Sequence, residues 1–285
     1  MIGFFGMRID AHQHFWMYNP VEYPWMTDSL AILRKDYLPR DLAGELRKVK
    51  IEGTIAVQAR QKLEENEFLL NLAESNPLIK GVVGWVDLVN DRVEEQVEQF
   101  FTRRKFVGVR HVLQDEVDDE FASRNGFVRG VSKLAQHGLT YDLLVYPRQL
   151  PACIALVEKL PEQKFVLDHI GKPSIRDREL GRWQEAIRAL AKAGTVYCKI
   201  SGMVTEANWK GWSVEDFKPY LDVVFEAFTP AKIMYGSDWP VCLLAGNYEQ
   251  VYGIIRQYTE SLSKGERERV MGLNAAEFYG LELPG

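Results

Sequence analysis

Eight short runs rich in β-branched residues recur along the chain with amphipathic segments between them, and that alternation marks parallel βα units. The runs are RIDAHQH (8–14), IEGTIAVQA (51–59), KGVVGWVDL (80–88), FVGVRHV (106–112), LTYDLLV (139–145), KFVLDHI (164–170), VYCKISG (196–202) and KIMYGSDWP (232–240). Segments such as ENEFLLNLAES, RVEEQVEQFFTRR and RWQEAIRALAKA lie between them, with apolar residues at helical spacing and charges on the opposite face. No Gly-rich dinucleotide turn follows the first run, so a closed (β/α)8 barrel is favoured over a doubly wound sheet. A chain of 285 residues suits such a barrel, and no Pro/Gly/Ser linker divides it. The expectation is an α/β fold, one (β/α)8 TIM barrel domain over residues 1–285.

Between the first run and a helix expected near Pro39 stands a long aromatic segment, FWMYNPVEYPWMTDSLAILRKDYLP. Long ordered loops in compact domains are usually functional, and this one belongs at the barrel end where active sites of such folds lie.

Composition narrows the partners. A formal net charge of −5 with no long basic run argues against nucleic acid or an anionic membrane. No apolar stretch is long enough to span a bilayer. The start, MIGFFGM, lacks the basic region and longer apolar run of a secretory signal, with Met7 an alternative start. Three widely spaced cysteines, Cys153, Cys198 and Cys242, argue against a disulfide framework or a Cys-type zinc site. A cytoplasmic protein is expected, and no sequence feature points to a particular oligomer.

Candidate chemistry gathers at the ends of the runs. Residues i and i+2 of a strand share a face, so His12 and His14 project together toward the mouth, either as two ligands of one metal or as a hydrogen-bonded pair in a polar interior. His169 ends the sixth run and Asp238 the eighth, converging on the same mouth; taken singly, they would read as a capping or core histidine and a turn residue. The fourth run adds Arg110 and His111, and the second and third add Gln58, Trp85 and Asp87. Arg110 is read as a donor to a substrate carbonyl or hydroxyl, or alternatively as a salt-bridge partner of Asp115 or Glu116. Tyr141, Asp142 and Lys199 have weaker individual claims, because alternate strand residues fill a barrel's interior layers. His137 is assigned a structural role. The aromatics Trp16, Tyr23, Trp25, Trp85 and Trp239 are read either as flat faces for a sugar-like ligand or as packing beneath the long loop.

Taken together, DAHQHFW, YPWM, VQA, GVVGWVDL, GVRHVLQDE, YDLL, FVLDHIGKP, CKISGMVTEA and GSDWPVCLLA resemble the amidohydrolase superfamily, in particular its branch of L-fucono- and L-rhamnono-lactonases. The resemblance runs from Arg8 to Tyr279 and implies a barrel of the metal-dependent hydrolase type that opens a cyclic ester with activated water. Carried over, His12, His14 and Asp238 match metal ligands, and His169 matches the sixth-strand histidine. The superfamily's fifth-strand histidine is replaced by Tyr141 and Asp142 in LTYDLLVYP, and GVRHV offers no bridging lysine. That departure argues against a binuclear site and leaves one divalent ion, zinc first, with metal-independent hydrolysis as the alternative.

The implied reaction is lactone plus water to hydroxy acid, on a small-molecule sugar lactone, L-fucono-1,4-lactone or a related deoxysugar lactone. Asp238 is expected to act as general base, with His169 beside it. Arg110 or His111 would stabilise the oxyanion, and Trp25, Gln58, Trp85, Tyr141, Asp142 and Trp239 would bind substrate. The rival readings are a decarboxylase or amide hydrolase of the same superfamily, and a non-catalytic sugar- or partner-binding barrel.

Overall fold

In the computed structural model, residues 7–193 and 196–282 are described; the opening MIGFFG lies outside them. The strands are β1 (Ile9–Gln13), β2 (Gly53–Val57), β3 (Ile79–Gly84), β4 (Phe106–His111), β5 (Thr140–Leu143), β6 (Phe165–Leu167), β7 (Val196–Ile200) and β8 (Ile233–Tyr235). They form one sheet in sequence order, each strand parallel to the next. The ring closes where the chain beyond β8 meets β1: Asp238 N–H donates to the His12 carbonyl at 2.8 Å and His14 N–H to the Trp239 carbonyl at 2.7 Å. The expected barrel is the fold observed.

Around the sheet run α1 (Pro39–Val49), α2 (Leu63–Ser75), α3 (Val93–Phe101), α4 (Asn125–Ser132), α5 (Leu150–Lys159), α6 (Gly181–Ala191), α7 (Met203–Glu206), α8 (Val214–Phe228), α9 (Tyr248–Tyr258), α10 (Lys264–Glu268) and α11 (Asn274–Tyr279). Their inner faces follow the sequence pattern. In α6, Trp183, Ile187 and Leu190 are buried, and in α3, Val93, Val97 and Phe100, which is the i, i+4, i+7 stripe. Each such side chain contributes roughly 1.5–3 kcal/mol on leaving water. The Asn247 side chain accepts from Gln250 N–H and caps α9. A smaller apolar cluster joins Ile55, Val83, Val107 and Val166 to Phe278 and Tyr279 of α11, so the C-terminal helix packs against the strands. No helix of the described residues is long and apolar enough to cross a membrane.

The long segment before α1 is ordered. Trp16 and Tyr37 exchange backbone hydrogen bonds at 2.9 and 3.0 Å, and the Trp16 indole N–H reaches the carbonyls of Leu33 and Lys35. The strap so formed carries Trp16 and Trp25 to the mouth. All eight strands end sooner than their runs suggested, and for the two whose runs carry His169 and Asp238 the shortfall matters to the site: β6 stops at Leu167 and β8 at Tyr235. Beyond these two the backbone turns left-handed, which a strand ladder does not accommodate.

Candidate active site

Three chain segments converge at the C-terminal ends of β1, β6 and β8. After β6, four consecutive residues adopt positive φ: His169 (52°), Ile170 (50°), Gly171 (71°) and Lys172 (47°). Asp238, beyond β8, does so at 58°. Left-handed backbone costs a non-glycine residue about 1–3 kcal/mol and persists where the surroundings enforce it, often at functional sites. Here the turns swing His169, Lys172 and Asp238 inward. Two glycines make room: a Cβ at Gly236 would lie 2.7 Å from His12 Cβ, and one at Gly202 would lie 2.5 Å from His169 Nδ1.

The result is a carboxylate ringed by imidazoles. Asp238 Oδ1 lies 3.3 Å from His14 Nε2, 3.8 Å from His12 Nε2 and 3.9 Å from His169 Nε2. The His12 ring centroid stands 5.0 Å from that of His14 and 4.4 Å from that of His169. Each Nδ1 is held from behind, by the Val57 carbonyl at 2.8 Å for His14, Ser201 Oγ at 2.9 Å for His169, and Asp168 Oδ1 at 3.3 Å with Lys199 Nζ at 3.2 Å for His12. Burial drives His12 and His169 well below the usual histidine range, so both imidazoles are neutral. Burial works to raise Asp238, but the imidazoles around it and the Lys172 ammonium outweigh burial and hold the carboxyl below its ordinary value.

This arrangement fits a metal ion. Because His14 Nδ1 donates to a carbonyl, its Nε2 presents a lone pair to Asp238 at 3.3 Å, and two acceptors that close need a positive centre between them, a proton or a cation. Ligand atoms around a tetrahedral zinc stand about 3.3 Å apart, given bonds of about 2.0–2.1 Å. The donor atoms of His12, His14 and Asp238 all lie within 4.8 Å of one another, as do those of His12, Asp168 and His169.

Beneath the imidazoles lies a buried ionic layer. Lys199 Nζ meets Asp142 Oδ2 at 2.5 Å and Asp168 Oδ1 at 3.0 Å, and Arg110 Nη1 meets Asp168 Oδ2 at 3.1 Å. The Tyr279 hydroxyl donates to Asp142. Asp10 accepts from Ser237 N–H at 2.9 Å and the Tyr248 hydroxyl at 2.8 Å, and burial raises its carboxyl to about 6. Burial also acts to raise Asp168, but Lys199, His12 and Arg110 hold it well below the carboxylate range.

Above the imidazoles opens a pocket of about 220 Å³ lined by His14, Trp16, Trp25, Gln58, Arg110 and His169, with Lys172 and Asp238 on its wall. Larger hollows exist, one of about 890 Å³ between Arg8 and Met271, but that one holds none of the convergent groups.

Several candidate residues do not reach this pocket. β4 and β5 pair with Arg110 opposite Asp142, both turned into the barrel, so alternation turns His111 and Tyr141 outward. His111 binds Glu116 at 2.7 Å and stacks on Phe121; Tyr141 packs edge-on against Phe127 and Phe165. Neither donates into the site. Asp142 faces inward but lies in the ionic layer, occupied by Lys199 and Tyr279. Trp85 follows the end of β3 and points its indole N–H at His111 Nδ1, 3.4 Å away. Trp239 packs edge-on against Phe15 and Tyr37, lining a separate hollow. Tyr23 is buried beside Trp16, under the Arg60 guanidinium. Arg110 pairs with neither Asp115 nor Glu116: its Nη2 donates to the carbonyl and side-chain oxygen of Gln58, and its Nη1 meets Asp168. His137 lies against Phe101, a structural placement.

Sequence reasoning missed Asp168 and Lys172 and undervalued Lys199. One signal was available for Asp168: Val166 belongs to the inner apolar cluster, and a residue two further along the same strand direction shares its side. No local pattern announced Lys172, whose placement depends on the left-handed turn.

Comparison with known proteins follows the same lines. The Amidohydrolase family model matches residues 9–281. The chain is 42% identical over 290 residues to a Burkholderia multivorans protein named L-fucono-1,5-lactonase, covering 98% of each, and 34% identical to a Burkholderia ambifaria protein of the same name, covering 97% of each. A crystal structure of a Burkholderia multivorans amidohydrolase with bound zinc superposes with a TM-score of 0.93 at 41% identity, covering 97% of this chain and 100% of that one. On the family match, these identities and the shared barrel, the chain belongs to the amidohydrolase family.

Proposed function

We propose that this chain, working as one barrel domain, hydrolyses the lactone of a 6-deoxy aldonic acid to the open hydroxy acid. The observation that carries the reading is the convergence of three imidazole Nε2 atoms on the Asp238 carboxylate beneath a pocket of about 220 Å³, a size suited to a single sugar ring. The 42% and 34% identical relatives bear the name L-fucono-1,5-lactonase, which favours the six-membered 1,5-lactone over the 1,4-lactone first suggested by the sequence resemblance. Three buried, unpaired cysteines support a reducing, cytoplasmic setting.

Asp238, ionised and held by its histidine neighbours, takes a proton from the attacking water and returns it to the ring oxygen as that oxygen leaves. The fixed Nδ1 contacts of His14 and His169 keep both Nε2 atoms aimed at that carboxylate. Arg110 acts from behind: its Nη groups are taken by Gln58 and Asp168, so it orients Gln58 and the ionic layer rather than the reacting carbonyl. Trp25, 39% exposed, offers an aromatic face to the sugar, with buried Trp16 and Gln58 forming the wall behind it. His12, His14 and Asp238 would hold a divalent ion, which when bound polarises a carbonyl and acidifies water.

The test is acid release from L-fucono-1,5-lactone, the 1,4-isomer, L-galactono- and L-rhamnono-lactone and unsubstituted butyrolactone, with and without chelator. A site that hydrogen-bonds hydroxyls should prefer the sugar lactones by roughly 10²–10⁴ in kcat/KM. Equal values across the panel would overturn the assignment.

A further inference from the structure

Beside the catalytic pocket, where the segments after β5, β6 and β7 meet, lies a second hollow of about 780 Å³. Lys172 lines both. We propose that this second hollow is an anion subsite that takes the polyhydroxy carboxylate released by hydrolysis, handed across the wall that Lys172 forms. The inference rests on the lactonase reading and adds a binding site to it.

The chemistry supplies the reason. Lactone hydrolysis consumes a neutral ester and water and yields a hydroxy acid, which ionises to a carboxylate and a proton. The substrate enters without charge, but the product is an anion, and a neighbouring hollow lined with cations attracts the product and not the substrate. The second hollow has this character: Lys172, Arg148, Arg176 and Lys210 stand on its walls, and with Glu206 beside Lys172, Asp177 3.6 Å from Arg176 and Asp119 beside Arg148, four cations face three carboxylates.

Several of these groups are held in place. Lys172 Nζ is 2.7 Å from Glu206 Oε1, with the two side chains only 15% and 18% exposed, and it lies 5.4 Å from the Tyr146 ring centroid. Arg148 lies 5.1 Å from that same centroid and donates from Nε to Asp119 at 2.7 Å. Trp209, 39% exposed, is pinned through its indole N–H to the Thr205 carbonyl at 2.8 Å, which fixes the orientation of the ring that lines the hollow. Cations flanking a fixed aromatic plate suit a sugar acid: the charges meet its carboxylate, and the plate meets the apolar face of its carbon chain. The left-handed backbone at Lys172 carries a conformational cost at the one residue common to both hollows.

The experiment uses the intact protein and sodium L-fuconate as the probe, with the neutral alditol L-fucitol as control. Arg176→Ala and Lys210→Ala are combined, since neither residue lines the catalytic pocket. The double variant should raise the fuconate inhibition constant roughly tenfold or more, the equivalent of about one lost charged contact. Its kcat/KM for the lactone should stay within about twofold, and its weak response to fucitol should not change. In a separate titration that needs no turnover, fuconate should change the protein's tryptophan fluorescence, and Trp209→Phe should abolish the change. Equal fuconate inhibition in wild type and double variant, or a fluorescence response that survives Trp209→Phe, would overturn the subsite. Absence of any fuconate binding would do so too. Failure of the lactone panel would overturn the proposed function instead, with the fluorescence titration still deciding the subsite.

Discussion

Lys199→Met isolates the ionic layer under the imidazoles. The substitution keeps a long apolar stem but deletes an ammonium that lies 2.5 Å from Asp142 Oδ2, 3.0 Å from Asp168 Oδ1 and 3.2 Å from His12 Nδ1, with all four residues fully buried. At an effective dielectric constant of about 20, one unit-charge contact near 3 Å is worth about 5 kcal/mol before desolvation, and removing one partner of a buried pair typically costs about 3–5 kcal/mol net. For a chain of this length that corresponds to a fall in Tm of roughly 5–8 °C. Burial already raises Asp142 to about 6 with Lys199 present, and without the ammonium the carboxyl would rise further and hold its proton at neutral pH. The variant should therefore regain stability as pH falls, with a larger deficit at pH 8 than at pH 5.5. Combining Lys199→Met with Asp142→Asn removes the carboxylate left bare. The double variant should then be at least about 1.5 kcal/mol more stable than the sum of the single effects. Thermal unfolding by circular dichroism of the four proteins at both pH values measures this. A Tm within about 1 °C of wild type at pH 8, or strict additivity, would refute the reading of Lys199 as the charge that neutralises this layer.

Other outcomes follow from the same geometry. Asp238→Asn should retain the wild-type Tm within a few degrees but lower kcat by at least about 10²-fold, and near-normal turnover in folded protein would remove Asp238 as the base. His111→Gln should leave kcat within about threefold, because the ring faces Glu116 and Phe121; a loss of 10²–10³ would instead place it at the oxyanion. Glu65 is raised from 4.5 to about 7, chiefly by burial, against hydrogen bonds from the Ala59 and Arg60 N–H groups. The folded protein therefore binds more protons than the unfolded chain between those values, and stability from this group falls as pH rises from about 4.5 to about 7. At 1.36 kcal/mol per pH unit the loss reaches about 3 kcal/mol, so Glu65→Gln should visibly flatten the decline of Tm between pH 5 and pH 8.

Much of the fold was legible because its information is local. Period-2 and period-3.6 patterns declare strands and helices wherever one face is buried, and eight such units in order leave little choice but a closed parallel barrel. The pairing of His12 with His14 was equally local, since two residues apart on a strand means one face. His169 and Asp238 were found by the same logic at strand ends, although each sits past its strand on left-handed backbone. The errors came where alternation was set aside: Arg110 and His111, or Tyr141 and Asp142, are consecutive on strands and cannot both enter the barrel. Other features had no local signature. That Lys199 of β7 meets Asp142 of β5, Asp168 beyond β6 and His12 of β1 depends on closing the ring, which brings residues up to 187 positions apart into contact. Likewise Trp25 and Trp16 reach the pocket while Trp85 and Trp239 do not, because the strap before α1 folds over the mouth and the other two indoles pack elsewhere. A strand's sequence sets which residues share a side, but charge pairing in a buried layer is a property of distance, and distance between strands exists only once the barrel has closed.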